Sequence, residues 1–512
     1  MPENAAGREI PRTIHGLQAV KPFEGSFVNT PLVRIQKGSR TLPRLNKLVE
    51  SIEQAILKSE LKDGMTVSFH HHLRNGDMVL NMVMDVIANL GIKNLTIASS
   101  SLTSAHEPLI RHIRHGVVTR LVTSGLRDKL AEEISHGLLD IPVLFHSHGG
   151  RARMIESGEM KIDIAFLGVP SCDVYGNANG YSGPSACGSL GYAMVDAVHA
   201  SKVVLITDNL VEYPNTPFSI LQDQVDYIVQ VDQIGDPEGI SAGALRMTRN
   251  PRDILIAQYA THVIEHSGYM EDGFSLQTGS GSISLAVTNF LRDVMLRKNF
   301  RASFALGGIT GNIVGLHEEG LIKRLLDVQS FDKEAIRSIA ENRFHTEIDA
   351  SYYANPHNKG CATNKINVVI LSAMEIDTDF NVNVLTGSDG IIRGASGGHS
   401  DTAIGSGISV IVAPLFRGRT ATVVDRVQTI ITPGDTVDVL VTDHGVAVNP
   451  KRQDISERLK TKHLPIYTIE QLQEKAEKIT GRPEPVQFEK RIVGVVEYRD
   501  GTILDVIHQV KD

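Results

Sequence analysis

The chain has 512 residues, 41% of them hydrophobic and 21% charged, and a net charge of −8. That size suits two or three globular domains, and the acidic balance, the absence of tryptophan and an aromatic content of 5% exclude a basic or base-stacking nucleic-acid surface. Cys172, Cys187 and Cys361 are odd in number without a CxxC pair, and no apolar run approaches the ~20 residues that span a bilayer, so a reducing, cytoplasmic setting away from membranes is expected.

Residues 1–44 carry turn signals at Pro11, Pro22 and Pro31 and lack the charged and apolar blocks of a signal peptide. They are expected to form an arm lying across the body. Leu45, Leu48, Ile52, Ala55 and Ile56 predict a helix ending near Gly64. Two halves then follow one script. The first predicts a strand over 65–69, a polar loop from His70 to Asp77, a helix over 78–91 and a strand over 94–100. The second predicts a strand over 273–277, a loop from Thr278 to Ser282, a helix over 283–297 and a strand over 301–308. The stretch from Lys161 aligns without gaps on that from Lys365, an offset of 365 − 161 = 204, and Val225 falls on Val437 at 437 − 225 = 212. Short β-branched runs alternating with helices predict βαβ units. The expected fold is α/β, two tandem pseudo-symmetric domains with mainly parallel sheets over 45–245 and 246–465. Residues 466–512 add a helix and a β-hairpin about Asp500-Gly501.

Parallel sheets bind ligands at the carboxyl ends of their strands, where glycine lets backbone N–H groups approach an anion or a carbonyl oxygen. Three loops qualify in the second half. Thr278-Gly279-Ser280-Gly281 precedes a helix, Gly307-Gly308 ends a strand, and Arg393-Gly394-Ala395-Ser396-Gly397-Gly398-His399 joins a cation to small residues. In the first half, His71, Arg74 and Asn75 offer partners for a carboxylate, Arg74 as a bidentate clamp. The cationic loop His146–Arg153 is a second candidate beside the bland reading of surface charge. Neighbouring side chains on an extended chain point to opposite faces, so His70, His71 and His72 are not expected to share an ion and no metal site is predicted. Ser147, His148 and Asp163 lack an elbow motif, which discounts a hydrolase triad.

The blocks DTDFNVNV from Asp377, RGASGGHSDTAIGSGISVIVAP from Arg393 and VDVLVTDHGVAV from Val437 resemble the second domain of CoA transferases. DVYGNANG from Asp173 and SKVVLITDNLVEYP from Ser201 resemble the first. The loops FHHHLRNGDMV from Phe69 and YSGPSACG from Tyr181 resemble the citrate lyase alpha subunit, or citrate CoA-transferase, branch of that family, and the likeness covers residues 8–511. It implies two CoA-transferase-like domains and transfer of an acyl carrier from acetate to citrate.

The chain departs from the wider family at one position. Acetate- and oxoacid-type CoA transferases carry a nucleophilic glutamate that aligns on Leu306, and the nearby Glu318 and Glu319 read as a solvated helix surface. For the citrate lyase branch the resemblance implies direct attack of a citrate carboxylate on the acetyl thioester, through a mixed anhydride. The protein then supplies position and oxyanion stabilisation, a role assigned here to Gly307, Gly308, Gly397, Gly398 and His399. Substrate contacts are assigned to His71, Arg74, Asn75, Thr278, Gly279, Ser280, Gly281, Arg393, Gly394 and Ala395. The resemblance also implies no cofactor bound by this chain itself. The thiol acted on belongs to the phosphoribosyl-dephospho-CoA group of a gamma (acyl carrier) subunit, with free CoA thioesters as a further substrate, and a beta subunit performs the lyase step. A homo-oligomer is expected. The rival readings are a transferase using free CoA with citramalate or another acid, and a non-catalytic scaffold subunit.

Overall fold

Seven β-rich segments of the first half, each short and apolar, form one sheet. They are β1 (Thr66–Phe69), β2 (Leu95–Ser99), β3 (Val118–Thr123), β4 (Val143–Phe145), β5 (Ile164–Gly168), β6 (Lys202–Thr207) and β7 (Tyr227–Gln230). The second half supplies β8 (Ser275–Thr278), β9 (Phe304–Ile309), β10 (Leu325–Ser330), β11 (His345–Glu347), β12 (Val368–Ser372), β13 (Ile408–Val412) and β14 (Val439–Thr442). This computed structural model describes residues 3–17, 19–28, 46–241, 248–279, 281–482 and 484–511. The expected domain boundaries at 44/45 and 245/246, with Pro31, Leu45 and Ser280, lie outside them.

The first sheet runs β4-β3-β2-β1-β5-β6-β7 and the second β11-β10-β9-β8-β12-β13-β14, all in parallel. β5 and β12 are displaced by 368 − 164 = 204 residues, and the short strands Ser171–Asp173 and Glu375–Asp377 by the same 204. Near-continuous apolar runs such as Val203–Ile206 and Val368–Ile370 are buried, as strands covered on both faces require. Helices Val79–Asn89 and Ser282–Lys298 make the return crossings after β1 and β8. No helix among the described residues is long and apolar enough to cross a membrane.

Two stretches differ from their sequence reading. Leu48 belongs to a strand, Leu48–Val49, pairing with Ile228–Val229 beyond β7, and the helix begins only at Ile52 behind an Ser51 cap. Ser51 accepts from the Gln54 N–H, and that local bond overrides the apolar spacing that extended the helix to Leu48. The second difference concerns the last residues. β15 (Phe488–Glu497) and β16 (Ile503–Val510) form the hairpin, but it is no separate extension: β15 pairs in parallel with β4, so the hairpin completes the edge of the first sheet. The described part of the arm packs on this hairpin. Ile10, Ile14 and Phe23 are buried, and the Phe23 N–H donates to the Ile503 carbonyl at 2.8 Å.

Candidate active site

The carboxyl ends of both sheets face one cavity of about 740 Å³. The first half contributes the loops after β1 (His71, Arg74, Asn75), β2 (Ser101, Thr103), β3 (Ser124, Arg127) and β4 (His148). The second contributes Thr278, Gly279 and Gly281 after β8, Gly308 of β9, Gln329 and Phe331 about the end of β10, Ala373 and Met374 after β12, and Arg417 beyond β13. The turn from Gly394 to His399 closes the floor, stitched to the first half. Gly125 and Ala395 form a bridge, Leu126 N–H donates to the Gly394 carbonyl at 3.0 Å, and Ser396 N–H donates to the Ser124 carbonyl at 2.8 Å. A methyl group on Gly125 would come within 2.2 Å of the Ala395 side chain, so only glycine admits this contact.

The amide N–H groups of Gly397 and Gly398 donate to no acceptor among the described residues, although both residues line the cavity. Gly397 has a left-handed backbone, φ +53°, and its carbonyl accepts from the His148 N–H at 2.8 Å. Two adjacent backbone donors without a protein partner are the feature from which anion-binding turns are built.

Charge in the cavity has one sign. Among the described residues Arg74, Arg127 and Arg417 line it, and no Asp or Glu does. Arg74 sits over the Phe331 ring at 4.9 Å and donates to the Ile240 carbonyl at 3.2 Å. Its own backbone is left-handed, φ +51°. Burial, and then the neighbouring Arg127, pull the Arg74 pKa down, the mark of two guanidiniums sharing a site without a carboxylate. The imidazoles stay neutral: burial and then Arg151 pull His148 down to about 3, and burial pulls His399 down to about 4. His71 is also pulled well down by burial; its Nδ1 meets the Ser100 hydroxyl at 2.6 Å, and its ring stacks on Tyr192 at 5.3 Å.

Of the residues named from sequence, His71, Arg74, Asn75, Thr278, Gly279, Gly281, Gly308, Gly394, Ala395, Gly397, Gly398 and His399 line this one cavity. Three behave differently from their assigned parts. Arg393 is exposed and pairs with Asp389, four residues earlier on its own loop, so it points away from the cavity. Gly307 lies behind the wall; at φ +102° it makes room for Gln277, whose side chain would be 2.8 Å from a Cβ there. Both ring nitrogens of His399 are spent, on Thr432 Oγ1 at 2.6 Å and the Ser372 carbonyl at 2.8 Å, so the ring is a wall that anchors the turn.

Of the stretch 146–153, His148 opens a helix and lines the cavity, whereas the two arginines are neither in the cavity nor on the surface. Arg151 is buried against Asp196 at 2.9 Å and Arg153 against Glu497 at 3.0 Å. His70 and His72 pack ring on ring at 3.6 Å on the side away from His71. No group of three metal-ligating side chains occurs among the described residues. Leu306 is buried in the core shared by the two halves, and Glu318 and Glu319 pair with Arg337 and Arg292 on the surface. Sequence reading missed Arg127, Tyr192, Gln277, Tyr353 and Arg417, all lining the cavity, and of the 146–153 candidate His148 reaches it. A basic residue soon after the β3 and β13 strand ends was the one available signal for the arginines.

Comparison with known proteins fits this architecture. The citrate lyase alpha chain of Klebsiella pneumoniae is 58% identical over 491 residues, 96% of this chain and 96% of that one. That of Escherichia coli (strain K12) is 61% identical over 487 residues, 95% of each. A solved structure from Streptococcus mutans, described as the alpha subunit of citrate lyase in complex with citrate, superposes with a TM-score of 0.96 at 53% identity and 100% coverage of both chains. A malonate decarboxylase alpha subunit from Acinetobacter baumannii shares the fold, with a TM-score of 0.63 at 14% identity over 85% of this chain and 88% of that one. The family described as citrate lyase, alpha subunit, matches residues 45–510. Full-length identity, superposition and family match agree, and the chain belongs to the citrate lyase alpha subunit family.

Proposed function

We propose that this chain is a citrate CoA-transferase, moving the thiol of an acyl carrier from an acetyl thioester to citrate. A citrate carboxylate oxygen attacks the acetyl carbonyl, and the carrier thiolate leaves. The resulting mixed anhydride is attacked at its citryl carbonyl by the same thiolate, releasing acetate and forming the citryl thioester. The observation that carries this reading is the cavity wall, which among the described residues holds three arginines, no carboxylate, and free amides at Gly397 and Gly398. Such a wall receives polycarboxylates and a developing oxyanion but holds no acid able to act as nucleophile. The relation to citrate lyase alpha chains, one of them solved with citrate, supports the acid's identity. Gly308, Gly397 and Gly398 then stabilise the oxyanion, and Arg74 and Arg127, with His71 and Asn75, hold citrate.

The same reading takes the two halves as tandem, pseudo-symmetric CoA-transferase-like domains, supported by their common strand order and the 204-residue displacement. It places the chain in a citrate lyase complex with a beta lyase subunit and a gamma carrier subunit, as a homo-oligomer in the cytoplasm. The test incubates purified chain with acetyl-CoA and citrate and follows acetate and citryl-CoA by mass spectrometry. Transfer is expected, with no adduct on the intact protein when citrate is omitted. Absence of transfer sinks the function, a stable glutamyl adduct sinks direct attack, and faster transfer to citramalate than to citrate reassigns the acid.

Arg74→Ala should raise the KM for citrate about 10- to 150-fold, the scale of one charged hydrogen bond, while the KM for acetyl-CoA hardly moves. Steady-state kinetics with each substrate varied separately checks this. Equal losses for both substrates would return Arg74 to a structural part.

A further inference from the structure

We infer that the Arg417 end of the cavity, with Arg252 beside it at the rim of the lining, is the seat for a phosphate group of the CoA-type arm that carries the thioester. This rests on the transferase reading above and says where its second substrate lies. The strand order sets the geometry. Arg74 stands over Phe331, just past the end of β10, whereas Arg417 follows β13 and donates to the Ala373 carbonyl at 2.7 Å and the Met374 carbonyl at 3.1 Å, just past β12. β10 and β12 are three strands apart in the sheet and β10 and β13 four, which at the usual strand spacing is ~14–19 Å. The carboxylates of one small acid do not reach both arginine groups. The cavity therefore offers two separate anion sites, and the glycine floor lines the same cavity.

The Arg417 end is built to receive charge. Its guanidinium is held by the two carbonyls and by Thr422 Oγ1 at 3.2 Å, which fixes its plane. Arg252 comes alongside, donating to the Phe416 carbonyl at 3.2 Å, and its Nε is buried without a partner. No carboxylate forms an ion pair with either arginine among the described residues; Asp253 accepts from Thr248 Oγ1 at 2.9 Å and acts on Arg417 only at longer range. Two unneutralised guanidiniums suit a phosphate diester or diphosphate, which carries charge at any working pH. A pantetheine arm runs from such a phosphate to its thiol, so phosphate at Arg417 directs the thioester inward over the glycine floor. Citrate is left the Arg74 end.

The probes are CoA and acetyl-CoA, which carry the phosphates, and pantetheine and S-acetyl-pantetheine, which do not. Arg417→Gln and Arg252→Gln should each raise the dissociation constant of CoA and the KM of acetyl-CoA about tenfold or more, on the scale of a charged hydrogen bond. The kcat/KM for S-acetyl-pantetheine and the KM for citrate should stay at the parent's values. Equal losses with both thioesters in Arg252→Gln, or none with acetyl-CoA in either variant, overturn the assignment. A rise confined to the citrate KM reverses it, giving this end to the acid. CoA binding that depends on both arginines in a protein that transfers nothing keeps the seat and rejects the transferase reading. Because Arg417 also braces Ala373 and Met374, S-acetyl-pantetheine turnover reports whether that variant is intact, and Arg252→Gln tests the site with the brace in place.

Discussion

Gly397→Ala should leave the protein folded and lower kcat about 10²- to 10³-fold, the loss typical of removing an oxyanion donor. Space is not the obstacle: the nearest atom to a Cβ at this position is His148 Nε2, at 3.6 Å. The obstacle is the backbone. A φ of +53° costs a residue with a Cβ about 1–2 kcal/mol, and relaxing that strain swings the peptide and re-aims its N–H groups. Melting should therefore fall by only a few degrees, about 2–8 °C for a domain of this size, with the KM for citrate close to the parent's. Gly398→Ala adds a separate check. Its Cβ would stand 2.5 Å from the Tyr353 hydroxyl, which accepts from Gln277 Nε2 at 2.9 Å, so that variant also disturbs the neighbouring wall. Normal kcat in Gly397→Ala, measured on protein with parental circular dichroism, would remove the oxyanion role from this turn.

Asp401→Ala should cost about 3–5 kcal/mol of stability, the usual penalty for stranding a buried partner. Asp401 opens the helix His399–Gly405 directly behind the glycine turn and is wholly buried. Its carboxylate accepts from Ser147 Oγ and from the Gly149 N–H, both at 2.9 Å, and lies 3.4 Å from Arg499 Nε. One side chain thus ties the first half, the second half and the C-terminal hairpin together. Burial outweighs the opposing pull of Arg499 and then of the two donors and raises the Asp401 pKa, so the charge of Arg499 is the largest single influence holding the carboxylate ionised. Removing the carboxylate leaves Arg499 buried without its charge partner. Adding Arg499→Met to Asp401→Ala should recover much of the loss, because the uncompensated charge then goes too. Denaturant titrations of the two single variants and the double variant check the cycle. An additive double variant would mean that Arg499 and Asp401 do not act as a pair.

What the sequence disclosed depends on how local each signal is. The strands β1, β2, β8 and β9 and the helices after β1 and β8 were legible because each follows from its own apolar run. So were Arg74 and the Gly394–His399 turn, which combine a strand end with residue types that have few other uses there. Pairing partners were not legible. Nothing near Arg393 says that its charge is answered by Asp389, and nothing near Arg151 or Arg153 says that Asp196 and Glu497 wait for them across the chain. Tyr192 and Tyr353 reach the cavity from helices whose sequences look like ordinary core, and only the crossing of the two sheets brings them there. Leu48 misled for the opposite reason: its spacing was helical, but its strand partner Ile228 lies 180 residues away, by 228 − 48.

The pairing of β15 with β4 also has a temporal meaning. Gly494 lies opposite Val143, a separation of 494 − 143 = 351 residues. At the usual pace of synthesis, roughly 5–20 residues per second, about 20–70 s separate the emergence of the two strands from a ribosome. Throughout that interval β4 stands as a bare edge, with its N–H and C=O groups open to any other nascent chain. The first half is thus made first but finished last, and what must be guarded during synthesis is the edge of β4.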